Sequence, residues 1–256
     1  MIRLLDQVNS GAKGFRELLM SGEVILAPGV FDALSARIVE MAGFSAVYMT
    51  GFGASAALLG QADVGLLTQT EMVENARRIV QAVGIPLIAD ADTGYGNPLN
   101  VIRTVRLYER AGVAAIHLED QIMPKKCGHM ENKQLIPARE MAAKIRAASA
   151  ARETPDFTLI ARTDARAVEG MPAALDRAAR YLDAGADILF IEAPESREDI
   201  EAVATRFAGT PLLFNWAEGG KTPAIPYSEL QQLGFRLVIF PISLLLSATR
   251  AMQAAA

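Results

Sequence analysis

Eight short apolar runs recur along the whole chain, and their spacing constrains the fold more than any single residue does. They are Val24–Ala27, Ala46–Met49, Pro86–Ala89, Ala115–Leu118, Thr158–Ala161, Ile188–Ile191, Pro211–Phe214 and Leu237–Phe240. Most are continuous rather than alternating, as expected of parallel strands covered on both faces. Segments with helical spacing lie between several of them: Glu71–Val83, Leu99–Ala111, Ala138–Ala151, Ala173–Ala184 and Arg197–Phe207. Ala-Gly pairs at Ala42-Gly43, Ala111-Gly112 and Ala184-Gly185 read as helix stops leading into the next strand. Eight such β/α alternations predict a single (β/α)8 barrel of TIM type over residues 1–256, with a doubly wound sheet as the alternative. At 256 residues and 51% hydrophobic, the chain can bury one large core.

Charge and composition narrow the function classes. With 25 Lys and Arg against 29 Asp and Glu, the chain has no basic excess for nucleic acid or an anionic membrane. No stretch approaches the ~18 consecutive apolar residues of a membrane span. The start, Met1-Ile2-Arg3-Leu4-Leu5-Asp6, lacks the charged-then-apolar order of a secretion signal. A single cysteine cannot form an internal disulfide, which fits a reducing compartment. These features predict a soluble, cytoplasmic protein.

The ends of the apolar runs carry the chemistry. Run two leads into Thr50-Gly51, run three into Asp90 and Asp92, run four into Glu119-Asp120 and run five into Arg162-Thr163-Asp164. Glu192 follows run six and Asn215 follows run seven. Core strands need no polar terminus, whereas the carboxyl ends of barrel strands build active sites. The long connections Gly51–Gln69 and Gln121–Pro137 read as glycine-rich or polar loops able to act as lids.

Each candidate has a plainer reading beside it. Asp90 and Asp92 share one side of an extended segment if the strand continues, and carboxylates facing one way require a cation or proton between them. A hard ion such as Mg2+ suits that arrangement, with Glu119 completing the shell; turn and cap chemistry before glycine is the alternative. Cys127, the only cysteine, lies among Lys125, Lys126, Gly128 and His129, where cationic neighbours favour a thiolate. The rival is a solvated basic loop. His129, two residues away, is too close on an extended chain to serve a hydrolase pair with Cys127 and suits orientation of a carboxylate or the thiol. Arg162 suits a bidentate carboxylate or an ion pair with Asp164 or Glu192. Tyr48, Thr50 and Gly51 form a corner able to hold a carboxylate, or an ordinary turn. His117, mid-strand, reads as a satisfied core histidine.

With these residues in place, the chain resembles the isocitrate lyase and phosphoenolpyruvate mutase superfamily along nearly its whole length. The resemblance rests on Tyr48-Met49-Thr50-Gly51, on Ala89 to Gly96 (A-D-A-D-T-G-Y-G), and on His117 to Gln121 (H-L-E-D-Q). It continues in Lys125-Lys126-Cys127-Gly128-His129, Ile160 to Asp164, Ile191 to Pro194, and Asn215 to Pro223. The K-K-C-G-H segment is similar to the signature of the lyase branch. Lys126 stands where methylisocitrate-type members carry arginine, and Asn215 to Gly220 looks closer to dimethylmalate lyase and oxaloacetate hydrolase-like members.

The resemblance implies site roles residue by residue. Asp90, Asp92 and Glu119 match the Mg2+ shell, with Mn2+ as a second ion, and Asp63 matches an acid near it. Thr50, Gly51 and Arg162 match groups holding the 2-oxo acid portion, with Tyr48 beside them. Glu192 and Asn215 match residues around the second carboxylate. Cys127 matches the proton donor, on a loop whose Lys125, Gly128 and His129 also belong to the motif. The implied reaction is Mg2+-dependent cleavage of a 2-hydroxy di- or tricarboxylate, of 2-alkylmalate or methylisocitrate type, to a 2-oxo acid such as pyruvate. The rivals are an oxaloacetate hydrolase or decarboxylase, a phosphonate mutase, which Cys127 disfavours, and a silent metabolite-binding barrel. The resemblance also implies a homo-oligomer, dimer or tetramer.

Overall fold

The computed structural model describes residues 9–126 and 132–256. Its first half runs α1 (Gly11–Met20), β1 (Ile25–Val30), α2 (Ala33–Met41), β2 (Val47–Met49), α3 (Gly51–Leu59), α4 (Gln69–Ala82), β3 (Leu87–Asp90), α5 (Pro98–Arg110) and β4 (Ala115–Glu119). The second half runs α6 (Ala138–Ala151), β5 (Thr158–Thr163), α7 (Ala165–Glu169), α8 (Met171–Asp183), β6 (Ile188–Ile191), α9 (Arg197–Arg206), β7 (Leu212–Asn215), α10 (Tyr227–Gln232), β8 (Phe235–Phe240) and α11 (Ser243–Ala255). Each strand pairs in parallel with the next, and β8 returns to β1 through Ile25↔Leu237 to Pro28↔Phe240. That last pairing closes the barrel and excludes the doubly wound alternative, whose open sheet would leave two edges.

All eight apolar runs fall on strands, displaced by no more than a few residues at either end. Local signals explain several helix limits. Asp32, Thr68 and Asn97 form reciprocal capping boxes with Ser35, Glu71 and Asn100, satisfying orphan N–H groups at the starts of α2, α4 and α5. At the three Ala-Gly stops the alanine ends the helix and the glycine takes a positive φ, as at Gly112 (84°).

The connection Gly51–Gln69 is not the continuous loop the sequence suggests, because its first part is α3. That segment, GFGASAALL, carries no charged or strongly polar face, so no helical period is legible in it. Burial and a cap form it: the Thr50 hydroxyl accepts the Gly53 N–H at 3.3 Å.

Parity along the strands positions the site. Ile25, Ala27, Tyr48, Ile88, Ala115, Ile160, Ile188, Phe190, Leu213, Leu237 and Ile239 pack together in one buried cluster inside the barrel. Their strand neighbours Val47, Met49, Leu87, Ala89, Ile116, Leu118, Ala161 and Leu189 belong to a second cluster, shared with the helices. Because side chains alternate with period two, Asp90, Glu119, Arg162, Glu192 and Asn215 all fall on the inward parity. Each lies one step beyond the apolar interior, at the carboxyl end of its strand or just after it.

Gly29 marks the tightest point of closure. A Cβ there would lie 2.4 Å from the Pro241 carbonyl oxygen and 2.7 Å from its Cα, both backbone atoms that cannot rotate away. Gly29→Ala should therefore lower stability by about 1–3 kcal/mol, the usual scale of overpacking. Thermal melts beside parent protein check this; an unchanged melting temperature would show that the β1–β8 seam is looser than described.

Candidate active site

At the ends of β3 and β4, acids converge on one lysine. Lys125 Nζ lies 2.7 Å from Asp63 Oδ2 and 2.7 Å from Asp92 Oδ1, and its side chain is almost fully buried. Burial alone would lower the lysine pKa, yet Asp92, Asp90, Glu119 and Asp63 together hold it well above its ordinary value. Asp90 is pinned from several sides. Its Oδ2 accepts the Gly51 N–H at 3.2 Å, and its Oδ1 accepts the Asp92 N–H at 2.9 Å and lies 3.2 Å from His117 Nε2. Gly51 is required here, since a Cβ would stand 2.6 Å from Asp90 Oδ2.

The two aspartates do not share a strand face. β3 ends at Asp90, and Asp92 sits at φ 48°, so the strand's period stops between them. Turn chemistry and carboxylate chemistry therefore coexist: Asp90 caps the turn that aims Asp92 at Lys125. Burial opposes ionisation of Asp90, but His117, Lys125 and the Asp92 N–H hold its pKa well below the ordinary value. Asp92 goes the other way. Burial, with the Asp90 and Asp63 charges, pushes it up to about 6 against the pull of Lys125. Glu119 is raised well above its ordinary value, chiefly by burial.

On the opposite wall, Arg162 at the inward end of β5 donates from Nε and Nη2 to Asp164 at 2.9 and 3.1 Å. Its Nε is also 3.4 Å from Glu119 and its Nη2 is 3.9 Å from Glu192, while its Cζ lies 5.1 Å from the centroid of the Phe190 ring. The ion-pair reading of Arg162 thus holds, and the residue still lines the central cavity. Asn215 Nδ2 lies 3.3 Å from both Glu192 oxygens, joining the ends of β6 and β7. Tyr48 OH is 2.8 Å from His117 Nε2, and burial, with the Asp90 charge, raises the phenol well above its ordinary value, so it stays protonated.

A cavity of about 210 Å³ opens at this end of the barrel. Tyr48, Thr50, Asp63, Asp90, Glu119, Lys125, Arg162, Glu192 and Asn215 all line it, so nine of the candidates meet at one mouth. Asp92 lies behind Lys125 and is not in the lining, and the Gly51 amide is taken by Asp90. Cys127, Gly128 and His129 lie outside the described residues. Lys125 turns its ammonium onto Asp63 and Asp92. The strand-end pattern missed His117, which is buried as expected of a core histidine but touches Asp90 and Tyr48 through Nε2 while its Nδ1 has no partner among the described residues; its inward parity between Ala115 and Glu119 was the available signal. Lys133, paired with Asp164 at 2.7 Å, had no such signal.

The charges fit a cation. Six acids, Asp63, Asp90, Asp92, Glu119, Asp164 and Glu192, stand around Lys125, Lys133 and Arg162, with His117 beside Asp90. Glu119 Oε1 is buried without a hydrogen-bond partner among the described residues. Among those residues no three His, Cys, Asp or Glu side chains converge as a finished metal cage. The unpartnered Glu119 oxygen among buried carboxylates suits an ion such as Mg2+, which takes one or two carboxylates and fills its shell from water and substrate. No helix among the described residues is long and apolar enough to cross a membrane.

Comparison with known proteins places this geometry. The chain matches the phosphoenolpyruvate phosphomutase family over residues 15–256. It is 52% identical to 2,3-dimethylmalate lyase of Eubacterium barkeri over 245 residues, covering 96% of this chain and 84% of that one. A solved oxaloacetate acetylhydrolase in complex with 3,3-difluorooxalacetate superposes with a TM-score of 0.93 at 43% identity, covering 97% of this chain and 86% of the other. A phosphonopyruvate hydrolase complex with oxalate and Mg2+ superposes at 0.85 with 33% identity, covering 95% and 84%.

The raised Asp92 carboxyl gives a pH-dependent expectation for cation-free protein. A folded pKa near 6, above the unfolded value, contributes stability that is fully present below about pH 4 and lost as pH rises through about 6. Asp92→Asn should therefore gain on the parent by about 1–3 kcal/mol between pH 4 and pH 8. Denaturant titrations in chelator at several pH values check it; a pH-independent difference would contradict it.

Proposed function

The chain belongs to the phosphoenolpyruvate mutase and isocitrate lyase superfamily and is one of its carbon–carbon lyases, and we propose that it cleaves a 2-alkylmalate of the 2,3-dimethylmalate type in the presence of Mg2+. The observation carrying this reading is the opposed charge across one cavity: excess carboxylate at β3 and β4 facing Arg162 at β5. Asp90 and Glu119, with Asp63 and Asp92 beside them, would hold the ion. A bound Mg2+ would supply Lewis-acid stabilisation of the negative charge that develops during cleavage.

The remaining roles belong to the chain's own groups. Arg162 binds and orients the 2-oxo acid half through charge-assisted hydrogen bonds, whose strength rises in a water-poor pocket. Tyr48, kept protonated, presents a neutral hydroxyl at the cavity wall. Asn215 and Glu192 form the wall that receives the second carboxylate, and Thr50 shapes the corner between β2 and α3. As the C2 hydroxyl passes its proton to a carboxylate lining the cavity, the C2–C3 bond breaks, C2 becomes the ketone of the 2-oxo acid, and the electron pair remains on C3. Cys127 delivers the proton that converts this carbanion into the product acid. The similarity to 2,3-dimethylmalate lyase supports an alkylmalate, and Lys126 in the K-K-C-G-H segment argues against a methylisocitrate.

The superposing oxaloacetate acetylhydrolase gives a second reading on the same residues, hydrolysis of oxaloacetate to oxalate. A panel of 2,3-dimethylmalate, 2-methylisocitrate, isocitrate and oxaloacetate, assayed with Mg2+ and with chelator, separates the two. Mg2+-dependent pyruvate from dimethylmalate is expected, and oxalate from oxaloacetate as the main product would replace the proposal. Cys127→Ser should slow the lyase reaction at least about 100-fold, the scale of a lost acid catalyst. Full activity in that variant would remove the thiol from the mechanism.

A further inference from the structure

Arg162 is surrounded by more negative charge than one guanidinium can balance. Asp164 takes its Nε and Nη2 edge, and Glu119 and Glu192 approach the same two nitrogens at 3.4 and 3.9 Å. With Asp164 and Glu192 already beside it, a substrate carboxylate arriving at this arginine would be a third around a single cation. Coulomb repulsion at such distances is worth kilocalories in a poorly solvated site, so the arginine would bind anions badly unless another charge compensates.

Lys133 is that charge. Its ammonium lies 2.7 Å from Asp164 Oδ1, the same oxygen that accepts Arg162 Nη2 at 3.1 Å, and its side chain is 1% exposed. The segment bearing it is pinned beside the barrel mouth. Ile122 N–H donates to the Gln134 carbonyl at 2.8 Å, Gln121 bridges to Leu135, and Ile136 N–H donates to the Asp120 carbonyl at 2.9 Å. Asp164 is itself immobilised, its N–H donating to Asp120 Oδ1, and Asp120 in turn accepts from Thr163, Tyr181 and Arg177. Burial would raise the Asp164 carboxyl, yet Arg162 and Lys133 hold it below its ordinary value.

We propose that Lys133 is a positioning residue for substrate recognition: by offsetting Asp164 it keeps the Arg162 charge from being spent on that aspartate, so that the guanidinium can take the carboxylate of the 2-oxo acid. The inference rests on the reading of Arg162 given above. It separates the two partners of Asp164 by role. Arg162 touches the substrate, and Lys133 acts through the aspartate they share. Arg162 Nη1, which makes no hydrogen bond among the described residues, is the corner left for the ligand.

Oxalate with Mg2+ is the probe, since its two adjacent carboxyl carbons imitate the carboxylate and neighbouring carbonyl oxygen of a 2-oxo acid, and it occurs with Mg2+ in the complex of a solved relative. Calorimetry on parent, Lys133→Met and Lys133→Arg should show Lys133→Met binding oxalate about ten-fold more weakly, the equivalent of about 1.4 kcal/mol. Lys133→Arg, which restores the charge, should return to within about three-fold of the parent. Turnover should follow the same split, with KM rising more than kcat falls. If Lys133→Met does not fold, Lys133→Gln keeps a hydrogen bond to Asp164 without the charge and carries the same expectation. Parent-like oxalate affinity in the neutral variant, even with a lowered melting temperature, would mark Lys133 as structural and overturn the proposal, as would an arginine variant as weak as the methionine one. Failure of the parent itself to bind oxalate with Mg2+ would instead sink the functional reading, and this inference with it.

Discussion

One lysine held among four acids governs the site. Lys125 touches Asp63 and Asp92 directly and feels Asp90 and Glu119, while Arg162 approaches Glu119 from the opposite wall at 3.4 Å. Burying that much unbalanced charge is expensive, which is why Asp92 and Glu119 resist ionisation while Asp90, held by an N–H and His117, does not. The imbalance is tolerable if the site is built to receive a cation. The lysine then serves as a partial counter-charge in the cation-free state, and the architecture around it exists to hold the acids in place.

The barrel does that holding. Closure through β1 and β8 fixes which side of each strand faces inward, and parity then delivers Asp90, Glu119, Arg162, Glu192 and Asn215 to one mouth without any loop having to place them. Negative charge gathers at β3 and β4, the arginine stands at β5, and Glu192 and Asn215 join the ends of β6 and β7. Beneath the arginine, a buried network of Asp120, Asp164, Arg177 and Tyr181 ties β5 to the helices outside. Buried ion pairs of this kind contribute little net stability, because desolvation offsets their attraction. Their value here is geometric.

Much of this was legible in the chain. Continuous apolar runs reveal parallel strands because nothing in such a strand faces water, and a polar residue just past each run has no packing reason to be there. Those two signals located Asp90, Glu119, Arg162, Glu192 and Asn215. The Asp90 and Asp92 pair was misjudged in geometry, since a period-two argument assumes a strand that in fact ends at Asp90. Helix α3 was missed because a segment apolar on most sides has no period to detect. Lys133 was out of reach for a different reason: its partner lies 31 residues away, and only the fold shows which lysines are buried. Cys127, Gly128 and His129 carry the most specific motif and fall outside the described residues, so the proton-transfer step rests on sequence and similarity.

The claim that the acids at β3 and β4 form a cation site can be measured without substrate. Titration of Mn2+ into cation-free protein, read by electron paramagnetic resonance, should show one ion bound per chain. That binding should be lost in folded Asp90→Asn and Glu119→Gln variants. No binding by the parent, or undiminished binding in both variants, would contradict the account at its centre.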